Sequence, residues 1–192
     1  MFSADYGGGG ELTTDAIISY APDTIQVERR HCRLLTSEDA NNNKDAHWVV
    51  CNFASLEDHM KVFFCKNLNY SIIEYDYKLC AHRSLEKHLA ITGKECDCLE
   101  TTPGKLNKAF YGYAQNVWFM SEKQRIIFLD KLDVLKPEKT RVLSSVLNSG
   151  NLRFINSLKD NPKDENYLIL KSQSWIKGTD ECIKYAQDNQ LK

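Results

Sequence analysis

The amino-acid sequence predicts an α+β protein, with a small, mainly antiparallel sheet from the N-terminal half packed against a helical C-terminal half. Three observations carry this reading. Runs rich in β-branched and aromatic residues lie in the first 80 residues, apolar residues recur at spacings of three and four from Thr102 onward, and the two patterns do not alternate along the chain. Alternation would mark a doubly wound fold, whereas strands followed by helices mark segregated layers.

Taken in order, residues 1–10 end in the run Gly7 to Gly10 and read as a flexible tail, because four glycines lose too much backbone entropy to join a core element. Residues 11–192 form a single domain in this reading, with a sheet-rich half over 11–100 and a helix-rich half over 101–192. Thr24–Ser37 reads as a long or bulged strand, Ser37–Asp45 with its three asparagines as a polar loop, and His47–Ala54 as an interior strand. Met60–Lys66 and Tyr70–Cys80, separated by Asn67, Leu68 and Asn69, read as a β-hairpin, since Asn tolerates the left-handed backbone of short loops.

Leu85, Leu89 and Ile91 then suggest a short helix stopped by Gly93. A longer helix follows over Thr102–Met120, with Leu106, Phe110, Tyr113, Val117 and Met120 on one stripe and Pro103 in its first turn. Ser121 caps the next, which carries Ile126, Ile127, Leu129 and Leu132. Brief helices end at Gly150 and before Asn161, residues 166–176 read as a last strand or buried helical turn, and a final helix starts near Thr179.

Composition excludes several classes. With 42% apolar and 27% charged residues, the chain has the make-up of a soluble globular protein, not a disordered or collagen-like one. No apolar run approaches the ~20 residues of a spanning helix, and the N-terminus lacks the basic and apolar regions of a secretory signal, so an intracellular protein, cytoplasmic or nuclear and without membrane association, is expected. Seven cysteines, an odd number, are expected as thiols. The net charge of −1 divides into −6 over residues 1–100 and +5 over residues 101–192, a split that suggests a polyanion or an acidic partner for the second half. No P-loop, G-x-G-x-x-G, G-x-S-x-G or H-E-x-x-H occurs, so nucleotide-binding, serine-hydrolase and metalloprotease classes have no local signature.

Three groups of residues carry candidate chemistry. Asp58 precedes one expected strand, and Glu74, Asp76 and Lys78 alternate with Ile73, Tyr75 and Tyr77 on the next. Over Asp58 to Lys78 this resembles the acid-x-Lys strand pair of the restriction-endonuclease-like nucleases. The resemblance implies carboxylates holding Mg²⁺ or Mn²⁺ and a lysine positioning water or phosphate. The competing reading is a solvated strand face with its charges turned outward.

Cys80, His82, Cys96 and Cys98 are a candidate structural zinc set, two C-x-H and C-x-C pairs; His88 needs an intervening helix to return to them. Lys108, Tyr111, Trp118 and Arg125, in the basic aromatic stretch Lys105–Arg125, are candidate partner-binding residues, with the two rings seven apart on one helical face. The sequence thus favours a non-enzymatic interaction or regulatory protein that binds a protein partner through its helical half. A metal-dependent nuclease and a single-stranded nucleic-acid module are the alternatives, and the oligomeric state is open.

Overall fold

The sheet is wholly parallel, not mainly antiparallel, and strands alternate with helices. The structure, a computed structural model, describes residues 8–162, 166–169 and 177–191. The chain divides into two compact units, Met1–Ser149 and Gly150–Lys192.

In the first unit, β1 (His47–Val50), β2 (Asn69–Glu74), β3 (Val117–Phe119) and β4 (Thr140–Val142) lie side by side in sequence order, every pair parallel. Parallel neighbours need a crossover, and helices provide each one. Helix α3 (Asp58–Asn67) joins β1 to β2, α4 (Leu85–Thr92) and α5 (Thr102–Tyr113) join β2 to β3, and α6 (Glu122–Lys131) joins β3 to β4. Two earlier helices are α1 (Gly9–Ser19) and α2 (Ser37–Asn42).

The expected hairpin fails at its first arm. Residues 60–66 contain Val62, Phe63 and Phe64 and so look like a strand, but Met60 and Phe64, four apart, are both buried, while Val62 between them is exposed. That is a helical burial period, and Asp58 in the first turn with Lys66 in the last suits the helix dipole. The second arm is a strand only as far as Glu74, and it is buried on both faces, as strands of a covered parallel sheet are.

Elsewhere, the expected strand at Thr24–Ser37 is irregular apart from a 3₁₀ turn at Cys32–Leu34, and the expected asparagine loop is helix α2. Its cap is legible in hindsight: Thr36 and Asp39 bond reciprocally, side chain to backbone. The long helix over Thr102–Met120 stops at Tyr113, and Val-Trp-Phe forms β3; the segment ending at Gly150 contributes β4. Helices α4 and α6 form where expected, capped by Ser84 and Ser121, with Gly93 in the left-handed region (φ 69°) ending α4. Gly9 and Gly10 of the supposed tail open α1, and Gly10 lies so close to the Tyr75 ring that a Cβ there would stand 3.0 Å from it.

Aromatic rings build the core on one face of the sheet. Tyr70 of β2 stacks on Phe110 of α5 at 4.8 Å between centroids, Trp48 of β1 meets Phe64 of α3 edge-on, and Phe128 of α6 meets Phe119 and Tyr111. Helices α3, α5 and α6 therefore cover the same face, as right-handed crossovers in a sheet of order 1-2-3-4 require. Helix α1 covers the other face, where the Thr14 hydroxyl bonds Tyr75 at 2.6 Å.

In the second unit, α7 (Ser149–Leu158) and α8 (Thr179–Asp188) are the regular elements among the described residues. The strand or buried turn expected over 166–176 is irregular at 166–169 and otherwise lies outside the described residues. No described helix is long and apolar enough to cross a membrane.

Candidate metal centre and the buried ionic network

Ligands of parallel α/β sheets gather beyond the carboxyl ends of the strands, and there β2 delivers two groups of interacting side chains.

The first is a cysteine and histidine cluster. Cys80 lies in the turns after β2, His88 in the middle of α4, and Cys96 and Cys98 on the return toward α5. Their four donor atoms lie within 4.8 Å of one another. His88 Nδ1 stands 3.6 Å from Cys80 Sγ and 3.6 Å from Cys98 Sγ. Zn–S and Zn–N bonds of about 2.3 and 2.0–2.1 Å at the tetrahedral angle put sulfur and nitrogen about 3.6 Å apart. The cluster can hold a metal ion such as zinc.

The surroundings suit thiolates. Backbone N–H groups of Ala81 and His82 donate to the sulfurs of Cys98 and Cys80, each at 3.4 Å. Burial above all, with hydrogen bonding to Cys80 and Cys98, pushes the Cys96 thiol up to about 12. A coordinated divalent ion reverses that preference and removes the protons. On the outer side of the imidazole, His88 Nε2 faces Asp97, 4.0 Å away, the kind of carboxylate that orients metal-bound histidines.

Local signals assemble the set. Ser84 accepts from Lys87 N and starts α4, whose eight residues place His88 four residues after the cap, on the buried side. Gly93 then reverses the chain, which returns through Cys96 and Cys98 to the α5 cap, Thr101, bonded by Gly104 N. Gly104 cannot carry a side chain: a Cβ would lie 1.9 Å from the Cys98 carbonyl oxygen. Gly104→Ala is expected to cost about 1–3 kcal/mol or more as the Cys98 turn is displaced, and to lower metal affinity with it; thermal melting alongside metal titration reads both.

Of the expected set, Cys80, Cys96 and Cys98 come together, but His88 occupies the place assigned to His82. The His82 ring lies edge-on against His88, 5.3 Å between centroids, beside the donor group and outside it. Helix α4 supplies the return that sequence spacing alone did not.

The second group is ionic. Glu74, fully buried, accepts from Lys78 Nζ at 2.8 Å, from its neighbour Asp76 N at 2.7 Å, and from the Tyr111 hydroxyl. Asp76 receives Lys78 at 3.4 Å and the Arg83 guanidinium, while Gln124 of α6 donates to its carbonyl at 2.6 Å. Burial alone would raise the Asp76 carboxyl; Lys78 and Arg83 outweigh it and hold the group below its ordinary range. Burial, with the Glu74 charge beside it, pushes the Tyr111 phenol up, so it stays a neutral donor.

These placements correct two expectations. Asp58 lies on a helix, exposed and paired with Lys61 at 2.9 Å, so the paired-strand arrangement of the nuclease resemblance does not form. Tyr111 is fully buried and belongs to the Glu74 network; Trp118 is half-buried on β3, so the two rings share no helical face. The burial of Phe110 and Tyr111 side by side, one toward the sheet and one toward Glu74, hid this role from sequence reasoning. Lys108 pairs with Asp133 at 2.7 Å, and Arg125 with Glu122 and Thr140, each at 2.7 Å.

A further cavity lies apart from both groups. About 460 Å³ in volume, it opens between α1, the irregular segment around Ile25–Arg30, and the sheet face carrying Val49 and Ile73. Comparison with protein-family models, with curated proteins and with solved structures finds no match to this chain.

Proposed function

We propose that the protein is a zinc-stabilised binding module and not an enzyme, with a structural zinc held by Cys80, His88, Cys96 and Cys98. The observation that carries this reading is the convergence of three thiols and one imidazole within 4.8 Å, at sulfur–nitrogen distances of tetrahedral zinc. Four protein ligands close the coordination sphere, the mark of a structural and not a catalytic site. A binding role is further supported by the β2 network, in which Glu74, Asp76 and Lys78 satisfy one another and leave no free acid–base pair aimed at solvent. The zinc would fasten the Ala81–Thr101 crossover, which is nearly devoid of buried aliphatic side chains, to the end of the sheet.

Elemental analysis of protein purified without added metal tests the proposal. One zinc per chain is expected in the wild type and in His82→Ala, and a loss of zinc in His88→Ala. Wild-type protein without stoichiometric zinc, or a His82→Ala variant that loses it while His88→Ala keeps it, refutes the assignment.

A further inference from the structure

Beside the metal cluster, a cavity of about 200 Å³ is lined by Lys61, Lys78 and Arg83 together with Phe53, Asn107 and the backbone around Cys80 and Cys98. We infer that this cavity is a binding site for a small phosphate anion, either free phosphate or the phosphoryl group of a small monoester.

Charge sets the class of ligand. Three cations line the cavity and, among the described residues, no carboxylate does. The acids that balance them stand elsewhere: Glu74 is sealed in the core, Asp76 is behind Lys78 and Arg83, and Asp58 is exposed on the outside of α3. Two of the cations are lysines with nearly buried side chains, 9% exposed at Lys61 and 4% at Lys78. Their ammonium groups converge on one aromatic ring, 5.9 and 5.4 Å from the centroid of Phe53. Each of the three cations has its carboxylate partner outside the cavity lining, so the wall that a ligand meets carries positive charge alone.

Donor capacity points the same way. An ammonium group has three N–H donors; Lys61 uses one, on Asp58, and Lys78 two, on Glu74 and Asp76. Asp58, the exposed partner of Lys61, can give up this bond to a ligand oxygen. Arg83 Nε is buried without a hydrogen-bond partner, and so is Asn107 Oδ1, an acceptor for a protonated phosphate oxygen. Arg83 adopts a left-handed backbone (φ 55°), a conformation rare outside glycine. The volume sets the size: it falls below the about 300–1,000 Å³ typical of sites for drug-sized ligands and suits a tetrahedral oxyanion with few further atoms.

The test is titration calorimetry on the full chain with its metal content measured in the same sample, at constant ionic strength. Inorganic phosphate and methyl phosphate are the two probes, with acetate as control. Saturable binding of either probe, weakened tenfold or more in Lys61→Gln with unchanged melting temperature and in Arg83→Gln under conditions where that variant is fully folded, is the expected result, and the stronger probe identifies the free anion or the ester as the source. No saturable binding of either probe, binding that Lys61→Gln leaves intact, or binding of a single-stranded oligonucleotide that phosphate cannot displace overturns the inference. Phosphate binding by zinc-free protein would uphold this site while removing the zinc.

Discussion

Replacing His88 with Ala, or stripping the metal with a chelator, is expected to produce the largest loss of stability of any change described here. Zinc binding to small domains contributes about 10–16 kcal/mol of apparent free energy, and much of that becomes folding free energy where no other core holds the segment. The crossover from Ala81 to Thr101 is such a segment: its well-buried side chain is His88 itself, with Leu85, Cys96, Cys98 and Leu99 only partly buried. The aromatic core of β1, β2, α3 and α5 stands on its own contacts. Metal removal is therefore expected to lose hydrogen-exchange protection first in residues 82–101, and to lower the melting temperature in the same step. Cys98→Ser should behave as His88→Ala does. Exchange protection in this segment that is identical with and without metal, measured by mass spectrometry, is the outcome that defeats the prediction.

The second large effect is expected at Glu74. Removing one partner of a buried ion pair leaves the other charge uncompensated and costs about 3–5 kcal/mol. Glu74→Ala strands Lys78, keeps only its longer contact to Asp76, and takes the acceptor from the Tyr111 hydroxyl. The double variant Glu74→Leu, Lys78→Met removes both charges and should be much less destabilised than the sum of the single changes. Denaturant unfolding of the four species gives the coupling directly, and additive losses would contradict the network as described.

The same network sets an acid limit. Asp76 titrates below its unfolded value of about 3.9 because Lys78 and Arg83 overcome its burial. Its contribution is therefore fully present above that unfolded value and is lost as pH falls through the lower folded one, so stability should drop below about pH 4.

How much of this was legible beforehand differs from element to element. Helices α4 and α6 were, because each carries a local end signal, Gly93 at the stop of α4 and Ser121 at the start of α6. The strand character of Asn69–Glu74 was also local, written in Tyr70, Ile72 and Ile73. Three of the four residues of the candidate metal cluster were visible as chemistry, since few residue types bind a transition metal.

What the sequence determined by itself was thus a set of short-range facts: capped helices, one strong strand, and an inventory of thiols, imidazoles and charges. Strand direction, the choice between strand and helix for Met60–Lys66, and the membership of each site were decided only by tertiary structure. A run of three residues such as Val117–Phe119 has too little length to show a period, and it becomes a strand because β2 and β4 offer hydrogen bonds on both sides. Met60–Lys66 becomes a helix because a parallel sheet needs a crossover there and Phe64 can reach Trp48 and Tyr70 only from above the sheet. His88 replaces His82, and Tyr111 turns inward to Glu74, for the same reason. Which of two nearby side chains meets a distant partner depends on how the chain returns, and that return is fixed by burial across the whole unit.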